Sequence, residues 1–159
     1  MSTPSPADDL AGAADALYRL MTSAVRQLPR DISLTSLATL ATVERTGPRR
    51  ITDLSANEGV TQPSMTALVT ALEKSGLVER RQDGRDQRVV LVALTEAGAA
   101  YLRTRRQAGT QAFARLIGQL PDADAAAIMA AAPALRHLRE LDEQHRTANG
   151  TASAAPGPR

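Results

Sequence analysis

Two strand-forming runs, "LVERRQ" and "RVVLVAL", are joined by "DGRD" in the middle of a chain that otherwise reads as helix. Asp-Gly between β-formers is a strong hairpin signal, because both residues accept the backbone angles of a tight turn. A two-stranded hairpin is marginal in water by itself and needs another surface to lean on. The chain is thereby limited to a mainly α fold with a small β-hairpin packed beside its helices. Composition agrees. Aromatics make up 2% of the 159 residues, and much of the 43% apolar fraction is alanine. Alanine suits close helix–helix packing but supplies little buried area per residue. A second copy of the chain is therefore a natural way to complete the core.

Apolar spacing places the helices. Leu10, Ala14, Leu17, Met21, Ala24, Val25 and Leu28 recur at helical spacing, and Pro29 ends the run. Ser33 is the expected cap of a second helix with Leu34, Leu37, Leu40, Ala41 and Val43 on it, broken by "TGPRR". Thr52 is expected to cap a short helix ending near Glu58, with Gly59 as a corner. Thr61 then caps another helix, with Pro63 in its first turn, Met65, Leu68, Val69 and Leu72 on its inner stripe, and Gly76 closing it. A short helix, a glycine turn and a second helix form a helix-turn-helix, and the hairpin directly after it makes a winged helix. Thr95 caps a long helix carrying Leu102, Phe113, Leu116, Ile117 and Leu120, interrupted at Pro121 and Asp122. A last helix carries Ile128, Ala132, Leu135, Leu138 and Leu141. Polar, Pro- and Ser-bearing residues 1–9 and the low-complexity tail 146–159 are expected to be disordered.

Several function classes drop out. The chain has no cysteine, which removes disulfides, thiolate metal sites and thiol redox switching. His137 and His145 are the only histidines, on the charged side of the last helix with no Ser or Cys motif, so no catalytic residue is assigned. No His/Asp/Glu cluster has metal-ligand spacing, and neither a metal nor another cofactor is expected. The start "MSTPSPADDL" has no signal-peptide pattern, and "AAAIMAAAPAL" is too short to span a bilayer. A cytoplasmic protein without a membrane partner is the expectation. The net charge of +2 and pI near 9.6 permit nucleic-acid binding without demanding it, so the placement of the arginines decides more than their sum.

On the helix after Thr61, the face opposite the apolar stripe carries Pro63, Thr66, Ala67, Thr70 and Lys74, flanked by Gln62 and Ser64. These are small or hydrogen-bonding side chains, as a helix entering the major groove requires, since bulky ones would hold it off the base edges. Gln62 suits adenine N6/N7 and threonine methyls suit the thymine methyl. The amides of the helix start attract phosphate. Taken alone, an ordinary amphipathic surface helix reads the same way. Along the hairpin, Arg85 lies at the tip, where a thin loop can enter a narrow minor groove. Asp83 with Gly84 is expected to start the turn, and Asp86 to pair with a neighbouring arginine and fix its direction. Arg80, Arg81 and Arg88 divide between phosphates and such internal pairs, a solvated strand position being the alternative for each.

With these residues in place, the chain resembles the MarR family of transcription regulators. Asp83-Gly84-Arg85-Asp86-Gln87-Arg88, three residues, then Val92-Ala93-Leu94-Thr95-Glu96-Ala97-Gly98 is similar to the family's D-x-R-D-x-R-x-x-x-V-x-L-T-x-x-G wing signature without a gap. "GVTQPSMTALVTALEKSGLVERR" resembles its recognition helix, and the likeness spans 10–145. The resemblance implies a DNA-binding lobe over 31–94 and a helical dimerisation region over 10–30 and 95–145. It implies a homodimer on a palindromic operator in double-stranded DNA, with half-sites roughly 34–36 Å apart. Repression is the family's commoner mode. DNA contacts are expected from Thr61, Gln62, Pro63, Ser64, Thr66, Thr70, Lys74, Arg85 and Arg88. The dimer interface is expected at Leu10, Leu17, Met21, Leu116, Leu120, Leu135 and Leu138. A small aromatic or phenolic anion is the implied ligand class, with Tyr18, Arg19 and Arg26 as candidate lining residues. Two positions depart from the pattern. Ala67 stands where members often carry an arginine, and Pro133 falls inside the last helix, where it removes a hydrogen bond and is expected to kink it. A winged-helix module that binds protein and not DNA is the competing reading.

Overall fold

The computed structural model describes the backbone over residues 6–27 and 31–152, and side chains over 9–26 and 31–145. Leu28 and Pro29, expected to end the first helix, and residues 1–5 and 153–159, expected to be disordered, lie outside the described residues. The chain divides into two units, Met1–Ser33 and Leu34–Arg159. In the first unit the described residues form α1 (Pro6–Gln27). It starts ahead of Leu10, so residues 6–9 are helical where disorder was expected. Pro6 heads the helix, a position at which its missing N–H and fixed φ cost nothing.

The second unit runs α2 (Leu34–Thr46), α3 (Ile51–Asn57), α4 (Gln62–Lys74), β1 (Val78–Gln82), β2 (Val90–Leu94), α5 (Glu96–Ile117) and α6 (Asp122–Ala152). Among the described residues, six helices and an antiparallel hairpin give the mainly α, winged helix-turn-helix architecture expected from the sequence. Leu40, Leu54, Met65, Val69 and Val92 are fully buried, and Val43, Leu72, Val78 and Leu102 nearly so. Each such side chain contributes on the order of 1.5–3 kcal/mol by leaving water. Thr39, the most deeply buried polar residue among those described, is satisfied: its hydroxyl donates to the Thr35 carbonyl at 2.8 Å and lies 3.9 Å from the Met65 sulfur. Leu34 departs from the expected stripe at 56% exposure, and Ala41 is also exposed.

Four local expectations are corrected. Thr52 does not cap α3. The cap position falls two residues earlier, at Arg50, which is extended and makes no side-chain cap. The cause lies upstream. Arg49 pairs with Val92 through two backbone hydrogen bonds, at 3.0 and 2.7 Å, as a one-residue third strand, and the helix starts as soon as that pairing ends. Secondly, the hairpin does not turn tightly at Asp83-Gly84. The register runs from Val78↔Leu94 to Gln82↔Val90, leaving 83–89 as loop, and Gly84 is not among the glycines with positive φ. Arg88 thus belongs to the loop and not to the strand. Thirdly, α5 stops at Ile117, and Leu120 sits in a turn closed by i→i−3 bonds from Gln119 and Leu120. Lastly, α6 continues to Ala152, past the expected start of the tail, and passes through Pro133 without ending. Once a helix is nucleated, each added residue brings its own hydrogen bond, so a polar segment can extend it.

Candidate nucleic-acid interface

Gly59, at φ +63°, turns the chain between α3 and α4, and the Val60 amide closes the corner on the Ser55 carbonyl at 3.1 Å. A side chain in that backbone region would be strained, hence glycine. Thr61 is extended and caps α4: its Oγ1 accepts from the Ser64 amide at 3.4 Å and lies 2.8 Å from the Ser64 hydroxyl. Met65, Val69 and Leu72 bury one face of α4 in the core. The opposite face leaves Gln62, Pro63, Ser64, Thr66, Ala67 and Lys74 exposed, as anticipated, while Thr70 is half-buried. Thr66 donates its hydroxyl proton to the Gln62 carbonyl at 2.9 Å, and Thr70 to the Thr66 carbonyl at 2.8 Å. That leaves Thr66 its acceptor lone pairs and its methyl for anything that meets this face.

The loop after β1 is shaped by two aspartates. Asp83 Oδ1 accepts from the Arg85 amide and Asp86 Oδ1 from the Arg88 amide, each at 3.0 Å. Both are Asx turns, in which a short carboxylate replaces a backbone acceptor two residues on. Asp86 was expected to hold an arginine side chain; it binds the arginine's backbone instead. The loop closes through Asp83 N–H to Val89 O and Val89 N–H to Asp86 O, both 2.9 Å.

The four arginines of the hairpin separate cleanly. Arg81 pairs with Glu79 on its own strand. Arg80 pairs with Glu73 of α4 and donates to Thr70 Oγ1 at 3.1 Å. Among the described residues, the guanidinium groups of Arg85 and Arg88 have no protein partner, and both residues are exposed. Free cationic charge is thus concentrated at the loop and not along the strands. Sequence reasoning missed Glu73 and Arg49. Glu73 and Arg80 lie seven residues apart across a helix end, a spacing that carries no local signal, and nothing in "TGPRR" announces a strand.

The apolar residues assigned to a dimer interface are all exposed in the single chain, from Leu10 at 72% through Met21, Leu116, Leu135 and Leu138 to Leu120 and Leu17 near 36–38%. Tyr18 is also exposed, and Arg19 is paired with Asp15 at 2.7 Å. An open groove of about 370 Å³ runs along α5, lined by Arg103, Arg106, Gln107, Thr110 and Gln111. Among the described residues no His/Cys/Asp/Glu group is arranged to hold a metal, and no helix is long and apolar enough to cross a membrane.

Comparison with known proteins identifies the architecture. The MarR family model matches residues 32–90, from two residues before α2 to the first residue of β2. The HTH-type transcriptional regulator ML2140 of Mycobacterium leprae is 33% identical over 102 residues, covering 64% of this chain and 70% of its own length. The chain belongs to the MarR family. The HTH-type regulators Mb0904 of Mycobacterium bovis and MT0903.1 of Mycobacterium tuberculosis are each 33% identical over 89 residues, 56% of this chain, and the chain spans 62% of their length. Among solved structures, transcriptional regulator Tm0710 of Thermotoga maritima superposes with a TM-score of 0.69 at 21% identity, covering 86% of this chain and 98% of that one. A MarR family protein of Bacillus stearothermophilus gives 0.66 at 18% identity, covering 89% and 99%. At such identities the likeness establishes the fold. Within the MarR frame, α4 is the second helix of the helix-turn-helix and the β1–β2 hairpin is the wing.

Proposed function

We propose that this MarR-family chain is a sequence-specific DNA-binding regulator. It acts in the cytoplasm as a homodimer that represses from a palindromic operator and is released by a small ligand. The observation that carries the reading is the pairing of two surfaces. One is the capped, small-residue face of α4, with Gln62, Ser64 and Thr66 exposed. The other is a loop whose backbone is pinned by two aspartates while Arg85 and Arg88 keep their charge unpartnered. A helix with such a face fits the major groove, and a pinned loop with free guanidinium groups fits a flanking minor groove. The exposed leucines of α1 and α6 are the surfaces a second copy would cover. Repression and release by an aromatic or phenolic anion rest on the family resemblance.

The test is a fluorescence anisotropy titration of the purified protein against duplexes from the region upstream of its own gene, at several salt concentrations. Binding with a linear log–log fall in affinity as salt rises is the expected outcome, because each neutralised phosphate releases a counterion. No salt-dependent binding to any genomic duplex would overturn the reading and leave a protein-binding winged helix in its place.

A further inference from the structure

Arg80 is the one arginine of the hairpin that reaches another element. Its guanidinium meets the Glu73 carboxylate on the last turn of α4 and donates to Thr70 Oγ1 one turn earlier, at 3.1 Å. Both side chains of the ion pair are part-sheltered, 32% and 35% exposed. Thr70 is engaged twice in this arrangement, since it accepts from Arg80 and donates to the Thr66 carbonyl. Two acceptors on successive turns, held by one planar fork, fix direction as well as distance. Half-exposed ion pairs add little to stability. What this one restricts is the angle between the outer strand of the wing and the helix.

We propose that Arg80 is a positioning residue that locks the wing to α4, so that Gln62 on the helix and Arg85 on the loop engage DNA as one rigid unit. The proposal rests on the DNA-binding reading above. With the lock in place, correct seating of the helix brings the loop to its groove without further ordering. Without it, each element binds independently and the benefit of simultaneous contact falls. Thr70 and Glu73 serve here as anchors for Arg80.

Two measurements test this. The chain has no native cysteine, so Ala71→Cys on α4 and Gln87→Cys on the loop can carry spin labels at exposed positions outside the lock. Pulsed dipolar spectroscopy on the free protein should give a narrow distance distribution that broadens in Arg80→Met and remains narrower in Arg80→Lys. Operator binding should then show Gln62→Ala and Arg85→Ala coupled, with non-additivity of about fivefold or more, in the Arg80 background. In Arg80→Met the same two changes should become additive, while the salt slope stays as in the parent. An unbroadened distribution overturns the lock. So does a salt slope reduced by about one in Arg80→Met, which marks a direct phosphate contact. If the parent binds no duplex, the functional reading fails, and the distance measurement still decides the lock.

Discussion

The hydroxyl of Thr95 donates to the carbonyl oxygen of Gly76 across 2.6 Å and accepts from the amide of Gly98 at 3.0 Å. One side chain thereby caps α5 and ties it to the residue that leaves α4. The Thr95 amide adds a bond to the Leu77 carbonyl at 3.2 Å. The start of α5 is thus fastened to the root of β1, so a change in the direction of that long helix bears directly on the base of the wing.

Gly98 completes this joint, and it sets the first prediction. A Cβ at position 98 would lie 2.1 Å from the Leu77 carbonyl oxygen and 2.8 Å from Leu94 Cδ1. The first of these is backbone, which cannot swing aside. Gly98→Ala should therefore destabilise the lobe by about 1–3 kcal/mol through overpacking, outweighing any gain in helix propensity. Thr95→Ala should cost about 1–2 kcal/mol for the lost cap, and Thr95→Ser should cost little. Urea unfolding reads both. A Gly98→Ala midpoint equal to the parent's would mean that α5 does not approach β1 this closely.

The loop makes a sharper prediction than its charge alone. Asp83 and Asp86 act through one oxygen each, on the amides of Arg85 and Arg88. Asparagine retains that oxygen and removes a negative charge that repels phosphate. Asp83→Asn should bind operator at least as tightly as the parent, whereas Asp83→Ala should bind more weakly because Arg85 loses its fixed base. Arg85→Ala should weaken binding most on operators with a narrow flanking minor groove. Equal affinities for Asp83→Asn and Asp83→Ala would refute the role given to the turn.

Much of the architecture was legible because its signals are local. The hairpin runs, the Gly59 and Gly76 corners, the Thr61 and Thr95 caps and the inner stripe of α4 each depend on neighbours within one or two turns. What escaped depends on distant partners. The start of α3 is set by Arg49 pairing with Val92, far along the chain, and Arg80 is directed by Glu73 across a helix end. The Asp-Gly pair suggested a tight turn, but the Asx turns of Asp83 and Asp86 favour a wider loop that leaves Gly84 with no need of positive φ. For the candidate site, the outward face of α4 was readable while the division of the arginines into paired and free was not, because it is decided by which carboxylates the fold brings near.

Base preference should follow the outward face of α4. Gln62 and Thr66 are exposed, and the Thr66 hydroxyl proton is already engaged with the Gln62 carbonyl. Thr66 is left to contribute its methyl and its acceptor lone pairs. Thr66→Val should therefore retain most of the affinity for a site with thymine opposite this position, while Thr66→Ser should lose it. Gln62→Ala should relax the preference at one base pair by about 1–3 kcal/mol, read by binding to a panel of single-substituted operators. Uniform weakening across the panel would instead assign Gln62 to the phosphate backbone.

The exposed leucines yield the last prediction, which separates assembly from folding. Leu138 is 52% exposed and Leu17 36% exposed, and neither belongs to the buried set built around Leu40, Leu54 and Met65. If a second copy covers them, each regains on the order of 1.5–3 kcal/mol of burial in the dimer and little in the isolated chain. Leu138→Asp should then shift the protein towards monomer in sedimentation equilibrium and weaken binding to a two-half-site operator. Binding to a single half-site should change little, because avidity is lost and not the reading surface. Leu40→Ala should behave in the opposite way, costing about 2–5 kcal/mol of stability from a cavity in the lobe. A Leu138→Asp protein that remains a dimer with full operator affinity would place the interface elsewhere.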